Sequence, residues 1–250
     1  MVVTEIAYRD PTVSKIVSIL EENAETIGKE YLLYSEVCGD DYLATGEEEG
    51  GGDHKVMTEK KKTKKIQYEF FKDKNVTDDD SSKSESNENT LHHGTWSWRS
   101  YIKKGVHTTT KKAFNDHCPV TSDVLDNQLG SELFTGTPFG YAFFSSMAEG
   151  AKIDPHNGPT NVRLRIHLPI LLPPSSESAG LIVGGVKINY HLNKAVVFDD
   201  SYAHEAFNEE GSGGERVVLL FDVWHPDVRK VEREGVCEMF AYAREQKWLK

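Results

Sequence analysis

The chain has 250 residues, 38% of them hydrophobic and 10% aromatic, which is enough for one sizeable core. Its formal net charge of −11 excludes a general nucleic-acid binder, which needs a basic face to neutralise phosphates. It does not exclude a small anionic ligand, because a local arginine cluster can hold an anion inside an acidic protein.

The N-terminus shows no charged-then-apolar leader, and no run of 18 apolar residues occurs anywhere. The expectation is a soluble, cytoplasmic protein with no membrane partner, organised as a single domain over residues 1–250. Asp10 to Tyr34 reads as a helix. Asp10 is placed to cap it, Pro11 suits its first turn, and Val13, Ile16, Val17, Leu20, Ala24, Ile27, Tyr31 and Tyr34 fall on one stripe. Cys38, Cys118 and Cys237 are scattered without CxxC spacing, which argues against a disulfide framework or a zinc ribbon and fits a reducing compartment. Residues 46–90 change character: an acidic and glycine-rich run, the basic run Lys60 to Lys65, then Asp78-Asp79-Asp80-Ser81-Ser82. This stretch has little to bury and reads as a flexible, charged insertion, with Gln67 to Phe71 as a possible short strand inside it.

Beyond Trp96 the pattern turns to β. Thr95–Ile102, Tyr141–Met147, Val162–Leu172, Leu181–Tyr190, Ala195–Phe198 and Val217–Trp224 are short, rich in β-branched and aromatic residues, and bounded by turn residues. Such spacing predicts a mainly β sandwich or jelly roll rather than βαβ units. The closing segment, Lys230 to Lys250, is expected to be helical around Val236–Trp248.

Two stretches carry chemistry. In the strand after His156, alternation puts Val162, Leu164, Ile166 and Leu168 on one face and Arg163, Arg165 and His167 on the other. That polar face holds two guanidinium groups and an imidazole with no carboxylate partner, and so reads as poised for an anion. The second stretch, Phe198-Asp199-Asp200-Ser201-Tyr202-Ala203-His204, runs from an apolar strand through an acidic turn to a histidine. Arg216 opens the next strand, twelve residues later. Two neutral imidazoles suit Fe(II), and a strand-borne arginine can pair bidentately with a distal carboxylate.

Three blocks, His156 to Leu168, Phe198 to Glu205 and Phe221 to Pro226, resemble the aspartyl/asparaginyl β-hydroxylase family. Weaker likeness continues upstream through Gly94-Thr95-Trp96-Ser97, Gly105, Cys118-Pro119 and Phe144-Ser145, covering roughly Trp96 to Asp227 with the charged insertion outside it. The resemblance implies a double-stranded β-helix (jelly roll or cupin-like) with flanking N- and C-terminal helices, acting as an Fe(II)- and 2-oxoglutarate-dependent dioxygenase. Family positions place His156 and His204 as metal ligands, and Arg216, Ser145 and His167 against the 2-oxoglutarate co-substrate. They place Arg165 toward the substrate with Arg163 in support, and O2 as the second co-substrate.

Most enzymes of the wider class add a carboxylate two residues after the first histidine. Here that residue is Gly158, as it also is in the family resembled. Asp154 is a possible substitute ligand, and Glu205 is read as structural. A missing carboxylate also occurs in halogenating relatives. A non-catalytic β-helix that binds a ligand or partner, a zinc hydrolase, or another oxidative tailoring enzyme of a small molecule are further alternatives. Family members acting on Asp or Asn use an additional Arg upstream of the first tryptophan motif, and Thr90 to Thr95 contains none. The expected substrate is a small molecule or peptide with a carboxylate or amide, hydroxylated at an unactivated carbon.

Overall fold

A computed structural model describes residues 9–40, 42–45 and 91–249. The charged segment 46–90, with its possible strand at Gln67 to Phe71, lies outside the described residues.

Helix α1 (Pro11–Val37) begins where the cap residues predict. The Asp10 carboxylate accepts the backbone N–H groups of Thr12 and Val13, both at 2.9 Å, satisfying two of the donors that a first helical turn leaves unpaired. All eight residues of its apolar stripe are buried. Burial also takes in Glu30, whose carboxylate accepts from Val120 N, Thr121 N and Thr121 Oγ1 at 2.6–2.9 Å.

Twelve strands follow: β1 (Tyr42–Thr45), β2 (His92–His93), β3 (Thr95–Lys103), β4 (Val106–His107), β5 (Ala142–Met147), β6 (Lys152–His156), β7 (Arg163–Leu171), β8 (Ala179–Val183), β9 (Val186–Asn189), β10 (Val196–Phe198), β11 (His204–Asn208) and β12 (Arg216–Trp224). They form two antiparallel sheets. One is ordered β1-β3-β5-β12-β7-β10, with β4 beside β3; the other is ordered β2-β6-β11-β8-β9. Two facing sheets of this kind, with helices at either end of the chain, make the mainly β, double-stranded β-helix expected.

Alternation along the central strands separates two cores. Leu164, Ile166, Leu168 and Ile170 of β7 and Val217, Leu219, Phe221 and Val223 of β12 pack with the α1 stripe on the outside of the larger sheet. Val218 and Leu220 of β12 turn inward, to a core shared with Trp96, Phe143, Leu181 and Phe198 between the sheets. The interior positions of β7 and β12 therefore supply the arginines of the site, with His167 and Asp222.

Several elements differ from the sequence reading. The strand expected over Leu181–Tyr190 is a hairpin, because Gly184 and Gly185 both take positive φ (55° and 80°) and turn the chain between β8 and β9. Residues 111–132, read within a β region, contain helices α2 (Lys111–His117) and α3 (Pro119–Asp123), a π-helical turn (Val124–Leu129) and a 3-10 turn (Gly130–Glu132). Helix α4 (Lys230–Glu245) starts earlier than the expected Val236, with the Glu232 carboxylate accepting Arg229 N–H at 2.9 Å. Among the described residues no helix is long and apolar enough to cross a membrane.

Candidate active site

His156 ends β6 and His204 begins β11, and the antiparallel register sets them directly opposite each other. Their ring centroids are 4.1 Å apart. Each ring is held by the carbonyl of the residue two positions earlier: Asp154 O lies 2.8 Å from His156 Nδ1, and Tyr202 O lies 2.9 Å from His204 Nδ1. A carbonyl can only accept, so both Nδ1 atoms carry the proton and both lone pairs sit on Nε2. That is how metal-ligating histidines are oriented. Burial lowers the pKa of both; His204 is brought to about 3, with His156 beside it adding to the effect. At neutral pH the pair is uncharged, the form in which imidazole ligates.

The third position of the usual ligand triad is closed. A Cβ built on Gly158 would fall inside the carboxylate of Asp200, and Gly158 N–H donates to the Asp200 carbonyl at 2.5 Å. Asp154, weighed above as a substitute ligand, has its carboxylate 3.0 Å from His93 Nε2 at the surface. Glu205 pairs with Lys152 at 2.7 Å, as its structural reading implied. Among the described residues no group of three His, Cys, Asp or Glu side chains is placed to hold a metal.

The reading of Arg163 and Arg165 as lacking carboxylate partners is corrected. Arg163, 2% exposed, donates to Asp200, to the Phe139 carbonyl and, at 2.9 Å, to Asp222. Arg165 donates to Asp222 through Nε at 2.8 Å and Nη2 at 3.2 Å, and its Nη1 is 3.5 Å from Asp200. Burial alone would raise the Asp200 pKa, but Arg165 and Arg163 outweigh it and hold the carboxyl below its ordinary value. The sequence of β7 alone cannot show these partners, because Asp200 sits on the turn after β10 and Asp222 on the neighbouring β12. A parity argument could have found Asp222, which shares the inward face of β12 with Arg216. Arg163 is enclosed as a brace for the two aspartates, whereas the Arg165 side chain keeps 14% exposure and lines the cavity.

Deeper in, a second group of polar atoms meets. Arg216, the first residue of β12, is buried and has no carboxylate partner among the described residues. Its Nη1 approaches the carbonyl and hydroxyl oxygens of Ser145 at 3.5 Å, while its Nε is buried with no hydrogen-bond partner among the described residues. Ser145 Oγ accepts from Trp96 Nε1 at 3.0 Å. His167 is buried, its Nδ1 lies 2.6 Å from the Tyr190 hydroxyl, and its Nε2 also lacks a partner. Burial, reinforced by Arg216, pushes the His167 pKa well below its ordinary value, so this imidazole is neutral. The structure thus brings all seven predicted residues, His156, His204, Arg216, Ser145, His167, Arg165 and Arg163, around one cavity of about 130 Å³. Leu91, Phe139, Tyr141, Phe143, Ile153 and Leu181 form much of its apolar wall.

Comparison with known proteins agrees with this geometry. A family model described as aspartyl/asparaginyl beta-hydroxylase matches residues 60–226, so the match begins inside the stretch that the sequence reading left out of the resemblance. "Aspartate beta-hydroxylase domain-containing protein 2" of Xenopus tropicalis is 38% identical over 129 residues, covering 51% of this chain and 33% of that protein. The Homo sapiens protein of the same name is 40% identical over 107 residues, 42% of this chain and 28% of that protein. "Aspartyl/asparaginyl beta-hydroxylase" of Mus musculus is 33% identical over 102 residues, 41% of this chain and 13% of that protein. The matched stretch is therefore a third or less of each relative. A Pseudomonas putida prolyl-4-hydroxylase structure is 15% identical with a TM-score of 0.30, over 52% of this chain and 71% of that one. A cupin-like protein from Thermotoga maritima is 10% identical with a TM-score of 0.31, over 63% and 96%. At that distance the fold assignment rests on the strands themselves. With the family model spanning two thirds of the sequence and the histidine pair in register, the chain belongs to the aspartyl/asparaginyl β-hydroxylase family.

Proposed function

We propose that the protein is a non-haem Fe(II), 2-oxoglutarate-dependent dioxygenase that hydroxylates an unactivated C–H bond. Its substrate is a small molecule or peptide with a carboxylate or amide, attacked at the β-carbon of an Asp- or Asn-like residue, the carbon that bears that group. The observation that carries this reading is two distinct ligand sets lining one cavity: a histidine pair in the ligating tautomer, and buried donors grouped around Arg216.

The residues present fit both groups. His156 and His204 would hold the iron through Nε2, a neutral nitrogen pair suited to Fe(II). Arg216 would hold the distal carboxylate of 2-oxoglutarate; its orphaned Nε is a donor an anion would satisfy, and the orphaned Nε2 of His167 lines the same cavity. Bound iron supplies the O2 chemistry that converts 2-oxoglutarate to succinate and CO2 and oxidises the substrate C–H bond. The protein's own part is positioning and exclusion. Arg163 and Asp222 lock Arg165 at the cavity wall, where its open edge orients a substrate carboxylate or amide. The apolar wall from Phe139 to Leu181 keeps bulk water from the reacting carbon.

Halogenation is disfavoured by a specific feature: the space beside Gly158 is filled by the Asp200 carboxylate, whose charge opposes a neighbouring halide. A purely binding β-helix would leave the matched anchoring of two facing histidines without a purpose.

Succinate formation from 2-oxoglutarate under air with Fe(II) and ascorbate tests the proposal, run with and without a chelator. Metal-dependent succinate supports it. If there is no turnover, the anaerobic visible charge-transfer band of an Fe(II)–2-oxo acid complex identifies a competent site awaiting its substrate. Folded protein showing neither band nor succinate overturns the proposal.

A further inference from the structure

Tyr190, the residue after β9, is fully buried, and neither the family resemblance nor the ligand sets above give it a role. It touches two members of the co-substrate group at once. Its hydroxyl is 2.6 Å from His167 Nδ1, and its ring lies under the Arg216 guanidinium, 5.4 Å from centroid to Cζ.

Two proton arrangements satisfy the His167–Tyr190 contact, and they are not equivalent. If His167 carries its proton on Nδ1, it donates to the phenol oxygen. The phenol hydrogen then has no other acceptor among the described residues, and Nε2 presents a bare lone pair to the cavity. If the proton is on Nε2, Tyr190 O–H donates to Nδ1 and both groups are satisfied. Nε2–H is then left as a donor beside Arg216. The first arrangement buries an unmet donor and an unmet acceptor; the second leaves one donor, of the kind an anionic ligand accepts.

We infer that Tyr190 is a positioning residue for the co-substrate: its hydroxyl selects the Nε2–H tautomer of His167 and aims that proton, alongside Arg216, at the carboxylate of the bound 2-oxo acid. The inference rests on the co-substrate reading proposed above. Burial raises the Tyr190 pKa to about 12, so the hydroxyl keeps its proton at any pH in which the protein works. Phe198, edge-on to His167 with centroids 5.1 Å apart, offers no competing acceptor. Because the ring remains under Arg216 in Tyr190→Phe, that variant removes the hydrogen bond and leaves the cation–π contact in place.

The test has two readouts. Imidazole 15N NMR of the metal-free protein reports which nitrogen of His167 is protonated, with the His167 resonances assigned from His167→Ala. Calorimetric titration of 2-oxoglutarate into the anaerobic Fe(II) protein reports affinity in wild type, Tyr190→Phe, His167→Ala and the double variant. The expected result is a protonated Nε2 in wild type, a shift toward the Nδ1–H form in Tyr190→Phe, and about tenfold weaker binding, equivalent to about 1.4 kcal/mol. In the His167→Ala background, Tyr190→Phe should cost nothing more. A wild-type His167 protonated on Nδ1 overturns the inference. So does an equal loss in both backgrounds, which would place the tyrosine's effect on Arg216 or on packing. Wild-type protein that binds no 2-oxoglutarate removes the co-substrate reading itself, and the inference with it.

Discussion

Replacing Gly158 with alanine tests whether the missing ligand carboxylate is an open position or a filled one. An added Cβ would stand 2.5 Å from Asp200 Cγ and 2.7 Å from Oδ1, where ordinary contacts begin near 3.4 Å. Gly158 is not among the glycines with positive φ, so the substitution carries no backbone penalty and the clash alone sets the cost. Asp200 cannot step aside freely, since Arg163 and Arg165 grip it from β7. Overpacking of a rigid interior costs about 1–3 kcal/mol, rising to about 3–5 kcal/mol if Asp200 is expelled from its ion pairs instead. For a chain of this size the lower range corresponds to a melting temperature reduced by roughly 2–12 °C. Gly158→Asp should fare worse, because it sets a second carboxylate against the first, and it should not improve iron binding. Thermal unfolding followed by circular dichroism, with Fe(II) titration of the folded variants, measures both effects. A Gly158→Asp protein as stable as wild type that binds iron more tightly would refute the reasoning, because it would mean that the Asp200 network yields.

Arg216→Gln should weaken 2-oxoglutarate binding by about 10- to 150-fold, corresponding to about 1.5–3 kcal/mol for a charge-assisted contact, while leaving Fe(II) affinity unchanged; paired titrations show the split. Glu30→Ala strands the Val120 and Thr121 donors that it now satisfies, and should lower stability by about 2–4 kcal/mol in urea unfolding without altering the site. For the metal-free protein, His204 binds a proton only near pH 3 when folded but near pH 6.5 when unfolded. The unfolded state therefore takes up more protons between these values. The stability owed to this group is complete above about pH 6.5 and falls as pH drops toward 3, by on the order of 3 kcal/mol at pH 4. Denaturant midpoints that are flat from pH 7 to 4 would contradict the buried, neutral pair.

The elements that local patterning announces were legible. Helix α1 has a cap, a proline and an unbroken apolar stripe, and β7 alternates cleanly, so both were placed to within a few residues. Short elements with mixed composition were not. Strand β6 contains Pro155, β11 reads His-Glu-Ala-Phe-Asn, and both are strands because their neighbours pair with them. The helical excursion after Thr110 owes part of its order to Glu30, 91 residues away from Thr121, which no window along the chain can see. At the site, the residues that line the cavity together could be picked out from sequence, whereas their charge partners could not. Arg163 and Arg165 looked unpaired on their own strand because Asp200 and Asp222 arrive from other elements.

That correction changes what the cavity can recognise. Three guanidinium groups line it, but two of them face two buried aspartates, and the histidines are neutral. The arginines and aspartates together leave one uncompensated positive charge, at Arg216. On the proposed reading, a single co-substrate carboxylate would satisfy that charge. A substrate carboxylate placed at Arg165 would instead share it with Asp222, and would gain less there than at a free guanidinium. An amide substrate placed at Arg165 would meet no like-charge opposition from Asp200 and Asp222. On the same reading, the arrangement on β7 and β12 would separate strong anion capture, deep in the sheet, from weaker orientation of the substrate near the histidine pair. Alternation along two adjacent strands supplies this charged lining: Arg216 and Asp222 share the inner face of β12, and Arg163, Arg165 and His167 share that of β7.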